Sequence, residues 1–154
     1  MAKPRWLTKQ EMAAWLGYQQ MRRMLDLQLG RDLTTESRLS EPDYDVISAL
    51  SEATGRQMRL GELAARLLWS KSRLSHHITR MQQRGLVARE ECEDDGRGSL
   101  VVLTDHGWQT IYEAAPHHVA SVRRNMIDLM TSEELDALAA FSRRIVQHLS
   151  RDSK

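Results

Sequence analysis

The sequence predicts a mainly α protein with one small β-hairpin. Three observations predict it. Long runs of helix-forming residues with apolar positions three or four apart occupy both ends of the chain. Between them lie a short helical run, a tight turn and a second helical run stopped by Gly85. The only paired strand signals, 86–91 and 99–103, follow at once and flank a turn-rich segment.

Met12, Trp15, Leu16, Met21, Met24, Leu25 and Leu29 mark the first helix, from about Trp6 to Leu33. Thr8 suits its N-cap, with Glu11 placed to complete a capping box. Glu41-Pro42-Asp43 opens a second helix, since the fixed φ of proline suits a first turn. Gly55 ends it, and Arg56 to Arg59 reads as an extended link. Leu60, Leu63, Ala64 and Leu67 mark a short third helix.

Ser70 is a good N-cap for a fourth helix. Leu74, Ile78 and Met81 form its buried stripe. Val101 and Val102 support the second strand, and Cys92 to Gly98 reads as the polar turn of the hairpin. Thr104 caps a helix from Asp105 to about Met130, in which Pro116 predicts a kink. Thr131 or Ser132 caps the last helix, with Glu133 and Glu134 in its favoured first turn. A helix, a turn, a second helix and a hairpin make the winged form of the helix-turn-helix.

The 154 residues carry a formal net charge of +1, which hides a strong segregation. From Leu63 to Arg89 stand six basic residues, Arg66, Lys71, Arg73, Arg80, Arg84 and Arg89, and no acid. The rest of the chain has sixteen basic against twenty-one acidic residues. A basic block in an acidic chain is the footprint of a polyanion site, although a solvated helix face gives the same charge pattern. The fourth helix decides between them. Around its buried stripe it carries Lys71, Ser72, Arg73, Ser75, His76, His77, Thr79 and Arg80. Cations and hydroxyls hold phosphates, and donor-rich side chains reach base edges. Ser70, Lys71, Ser72, Arg73, Ser75 and His76 lie toward the N-terminal part, which contacts bases in a helix-turn-helix. The predicted partner is therefore double-stranded DNA, with His77 and Arg80 completing the contact set.

Arg97, between Gly96 and Gly98, is presented with little bulk around it and suits a narrow minor groove. Asp95 is placed to orient its guanidinium. Local pairing of the turn charges is the alternative, and the acids Glu90, Glu91, Glu93, Asp94 and Asp95 would repel phosphate unless turned away or paired with basic neighbours such as Arg89.

Other chemistries lack support. There is no phosphate-cradling glycine loop, metalloprotease helix motif or nucleophile elbow, so an enzyme is not expected. The pairs His76-His77 and His117-His118 point about 100° apart on a helix and form no chelating pair, so no metal or other cofactor is assigned. One cysteine, Cys92, allows no internal disulfide. No apolar run is long enough to span a membrane and no signal peptide is apparent, which makes the cytoplasm the expected location.

The run Leu60-Gly61-Glu62-Leu63-Ala64 through Ser70, Ser72, Ser75, Arg80, Met81, Gly85-Leu86-Val87 and Arg89 resembles the DNA-binding core of the MarR family of bacterial regulators. Asp95-Gly96-Arg97, Val101, Leu103-Thr104 and Gly107 continue the likeness through the wing. The resemblance implies dimerisation helices at 1–35 and 105–154 around a winged helix-turn-helix at 36–104. It also implies a homodimer on a palindromic operator, acting as a ligand-responsive repressor. Trp15, Tyr18 and Met21 are candidate residues for a small-molecule effector, although dimer packing explains them better. Two departures stand out. Gly96 occupies a position where the family often has a second arginine. Cys92, beside acids on the wing, does not match the N-terminal cysteine of peroxide-sensing members, so no redox switch is expected.

Overall fold

A computed structural model describes residues 1–91 and 98–151. It contains α1 (Lys9–Ser37), α2 (Glu41–Glu52), β1 (Gln57–Arg59), α3 (Leu60–Leu67), α4 (Lys71–Gln83), β2 (Val87–Glu91), β3 (Ser99–Leu103), α5 (Asp105–Asn125) and α6 (Ser132–Arg151). The chain divides into two compact units, Leu29–His118 and Met1–Gln28 with Val119–Lys154.

The 29–118 unit holds every buried hydrophobic side chain among the described residues. Val46, Ile47 and Leu50 of α2, Leu63 of α3, Leu74, Ile78 and Met81 of α4, and Val101 of β3 are all fully excluded from solvent. The helix ends explain why each element stops where it does. Ser40 and Asp43 form a capping box at the start of α2, with Ser40 N–H donating to Asp43 Oδ2 (3.0 Å) and Asp43 N–H to Ser40 Oγ (3.1 Å). Ser70 caps α4, its hydroxyl accepting from Arg73 N–H at 3.1 Å. Gly85, at φ +73°, takes the left-handed conformation that closes α4. In the turn from α3 to α4 that conformation falls on Leu68 (φ +58°) instead.

The sheet has the order β1-β3-β2, antiparallel throughout, with Val87 opposite Leu103 and Glu91 opposite Ser99. Thr104 ties the sheet to α5. Its hydroxyl donates toward the Gly85 carbonyl (2.6 Å) and accepts from Gly107 N–H (3.0 Å). Gly107 lies so close to the Leu86 carbonyl that a side chain there would collide with it. The Leu-Thr and glycine positions of the sequence thus have a shared physical role.

In the other unit, α1 begins with the Thr8–Glu11 capping box (2.8 and 3.2 Å) and α6 with a Thr131–Glu134 box (2.9 and 3.1 Å). Its apolar side chains remain open: Trp6, Met12, Trp15, Leu16, Phe141, Ile145, Val146 and Leu149 are all exposed.

Three expectations change. The link at 56–59 contains a strand: Gln57–Arg59 pairs with β3, Met58 opposite Val101. Three residues are too few for alternation to show in the sequence. Helix α5, with Pro116 inside it, ends at Asn125 rather than near Met130, and a 3₁₀ turn follows at Ile127–Leu129. Helix α1 runs on to Ser37, where Arg38 at φ +55° lets Leu39 N–H reach the Leu33 carbonyl (3.4 Å).

Candidate nucleic-acid interface

Helix α4 divides cleanly along its length. Leu74, Ile78 and Met81 face the core, while Lys71, Ser72, Arg73, His76, Thr79 and Arg80 are exposed. Its first turn carries no acid. The leading amides and the cations therefore act in the same sense on an approaching anion.

Of the six basic residues in the acid-free window, three are consumed internally. Arg66 pairs with Glu52 at 2.6 Å. Arg84 donates to Asp43 Oδ2 (2.7 Å) and to the Arg38 carbonyl (2.9 Å). Arg89 reaches from β2 to α4, donating to the Ser75 carbonyl, to Ser75 Oγ (3.2 Å) and to Thr79 Oγ1 (3.0 Å). Lys71, Arg73 and Arg80 remain, and among the described residues no acid pairs with any of them. Lys71 lies back along α3, where the missing side chain of Gly61 leaves room for its stem. Arg73 lays its guanidinium over the Trp69 ring, 4.0 Å from the centroid.

One predicted contact residue is placed elsewhere. His77 is only 8% exposed and belongs to the inner face of α4. Its Nε2 lies 3.0 Å from Asp43 Oδ1, an ion-pair distance without the alignment of a hydrogen bond. Its Nδ1 lies 3.1 Å from an Arg80 guanidinium nitrogen. The sequence held the signal: residue 77 is three after Leu74 and four before Met81, so it shares their stripe. Burial lowers the His77 pKa; Arg80 and Arg73 add to that, and the Asp43 carboxylate opposes it. Burial alone would raise the Asp43 carboxyl, but Arg84 and the Ser40 hydrogen bonds outweigh it and hold the pKa below the usual value. Ser75, half-buried, accepts from Arg89 and so serves partly as a lock between helix and wing.

Arg97, Asp95 and Cys92 lie outside the described residues. The proposed effector residues are not gathered into one site. Trp15 and Tyr18 are exposed, with ring centroids 6.0 Å apart, while Met21 lines a separate apolar groove with Met24, Leu25, Met126 and Met130.

Sequence reasoning missed a cleft within the 29–118 unit, about 340 Å³, lined by Leu29, Leu33, Tyr44, Asp45, Leu67 and His118 among others. The Tyr44 and His118 rings meet at 4.3 Å, and His118 Nδ1 is buried without a hydrogen-bond partner. Burial lowers the His118 pKa, opposed by the nearby Asp45 charge. Its residues are scattered over 90 positions of chain, and no local pattern joins them.

A helix-turn-helix with an open cationic second helix, flanked by a three-stranded sheet, defines a winged-helix DNA-binding protein. The chain belongs to the MarR family of transcriptional regulators. A model of the MarR family matches residues 39–98. The chain is similar to AbsC, a MarR family transcriptional regulator from Streptomyces coelicolor: 47% identical, covering 96% of this chain and 99% of that one, with a TM-score of 0.91. It is similar to Sco3205, another MarR family regulator from Streptomyces coelicolor, whose structure is in complex with DNA: 34% identical over 96% and 92% of the chains, TM-score 0.92. The transcriptional regulator HosA of Escherichia coli is 30% identical over 109 residues, 70% of this chain and 78% of its own. Within the described residues, no helix is long and apolar enough to cross a membrane.

Proposed function

We propose that the protein is a cytoplasmic homodimer that binds a palindromic operator as a repressor and releases it when a small molecule binds. The observation that carries the DNA contact is the open α4 face, on which Lys71, Arg73 and Arg80 stand with no acid to pair them. Two such helices related by a two-fold axis enter successive major grooves about 34 Å apart. Ser72 and His76 extend the face toward bases and phosphates, and Arg97 of the wing supplies a minor-groove contact oriented by Asp95.

Dimerisation follows from burial. The unit made of 1–28 and 119–154 has no buried hydrophobic side chain among its described residues. A unit of that size cannot stay ordered without apolar burial. On α6, Leu138, Phe141, Ile145 and Leu149 form a stripe at helical spacing, the last three exposed. A second copy is the self-complementary surface that covers it.

For the effector, the cleft under His118 fits better than Trp15, Tyr18 and Met21, because it is concave and holds an unpaired polar atom. A ligand there acts only through different affinity for DNA-competent and incompetent states.

Selection of bound sequences from random duplexes tests the reading directly. The expected outcome is a palindrome with half-sites about one helical turn apart. Neutralising about 6–10 phosphates makes affinity fall about 10³–10⁵-fold between 50 and 200 mM salt. Arg73→Ala costs about 1–3 kcal/mol and relaxes base preference if it reads a guanine. A flat salt response, or an unsymmetrical site, overturns the proposal.

A further inference from the structure

The arginines of the α4 face do not stand alone. Trp69 stands just before the Ser70 cap of α4, and on the helix His77 follows Arg73 by four residues and precedes Arg80 by three, so those three share one edge. Arg73 lies over the Trp69 ring at 4.0 Å, and Arg80 meets His77 Nδ1 at 3.1 Å. The two rings touch each other edge to face, centroids 5.6 Å apart at 89°. Trp69 is packed against the hydrophobic core and His77 is buried, so both rings are rigid where the arginines are not.

We propose that Trp69 and His77 are positioning residues: a bracket beneath the α4 face that sets the guanidinium groups of Arg73 and Arg80 in their DNA-reading poses before DNA arrives. The proposal rests on the DNA-contacting role of α4. Its physical basis is entropy. A free arginine loses rotamer freedom on immobilisation, and a pose already held by an aromatic face or ring nitrogen loses less.

The His77 arm also fixes a protonation state. A guanidinium only donates, so Nδ1 must accept from Arg80, and the single proton of the neutral ring sits on Nε2. Nε2 points toward Asp43, the one acid of α2 at this position, itself held by Arg84 and Ser40. The charged groups that bear on the ring are thus Asp43 from α2 and Arg73 and Arg80 from α4. A second proton on Nδ1 would confront the Arg80 guanidinium and release it. Burial keeps the ring neutral at neutral pH.

The test is a pair of double-mutant cycles, read by fluorescence anisotropy on the full-length protein with its selected operator. Thermal unfolding is recorded for each variant. Trp69→Leu is expected to weaken binding about 2- to 12-fold, the equivalent of one unrestrained side chain. It should cause no further loss in the Arg73→Ala background, and Trp69→Phe should recover most of the affinity. His77→Phe should behave the same way against Arg80→Ala. Fluorinated tryptophan at position 69 alone keeps the shape and weakens the ring's attraction for a cation. Affinity should fall with fluorination in the wild type and stay flat in Arg73→Ala, which reads the arm even if Trp69→Leu unfolds. Operator affinity should also decline as pH drops below the ordinary histidine range, by a component missing from Arg80→Ala.

Equal losses with and without the arginine overturn the bracket, as does a flat fluorination series. If Arg73→Ala and Arg80→Ala themselves bind as wild type, the DNA-reading role of α4 fails and the bracket with it.

Discussion

Asp43 is the residue whose removal the structure predicts most sharply. It is 5% exposed, and its carboxylate serves three groups. Oδ2 accepts from Ser40 N–H (3.0 Å) and from Arg84 (2.7 Å), and Oδ1 faces His77 Nε2 (3.0 Å). In Asp43→Ala, Arg84 keeps its solvent contact, since its side chain is 44% exposed, so its loss is worth only about 1 kcal/mol. The Ser40 amide, part-buried, loses its partner at about 1 kcal/mol. The buried His77 ring loses the carboxylate that faces its Nε2 at 3.0 Å, an electrostatic contact worth about 1–2 kcal/mol. Together these cost about 3–4 kcal/mol, or a fall in Tm of about 6–16 °C for a chain of this length. Circular dichroism melts at one fixed protein concentration measure it, since association shifts Tm. The acid limb adds a check on sign. The Asp43 pKa is depressed in the fold, so its contribution is complete above the ordinary value of 3.8 and is lost as pH falls through the depressed one. The gap between wild type and Asp43→Ala should therefore close only at strongly acid pH. An Asp43→Ala protein melting within about 2 °C of wild type would refute the hub role.

Three further outcomes follow from single contacts. Gly107→Ala drives a Cβ into the Leu86 carbonyl and should destabilise by about 3 kcal/mol, seen as a lower urea midpoint; an unchanged midpoint means the α5 start can slide. Leu68 holds φ +58° with its side chain 92% exposed, so Leu68→Gly relieves left-handed strain at no loss of burial and should raise stability by about 1 kcal/mol; a lower Tm contradicts this. His77 and His118 both have pKa values lowered by burial from 6.5, so the unfolded chain binds more protons below that pH. Stability should be full above about pH 6.5 and fall as pH drops from there toward the folded values. Urea titrations between pH 8 and 5 test the direction, and the His77→Phe, His118→Phe double variant should flatten the curve.

Much of the fold is legible locally. Ser70, Thr8 and Thr104 are caps because a hydroxyl sits where a helix begins, and the first-turn amides need it. Leu74, Ile78 and Met81 announce the inner face of α4 by spacing alone. The site is less legible. His77 obeys the same spacing, but its polarity argues for the outside until Asp43 and Arg80 are seen to meet both ring nitrogens. Arg89 counts in the sequence as one more cation. Only the alternation of β2, with buried Val87 on the same side, hints that it turns toward α4.

The order of the helices, the hairpin, the Leu74-Ile78-Met81 stripe of α4 and the lack of acids around it can all be read from the residues in line. Those properties depend on neighbours within a turn or two of chain. Which cations stay open for DNA and which are spent on the fold depends on contacts between distant segments. Arg84 is neutralised by Asp43, 41 residues away, and no local pattern records a partner at that distance. Distance along the chain hides the bracket as well: a buried carboxylate from α2 orients a ring of α4, and that ring holds the arginine that solvent sees.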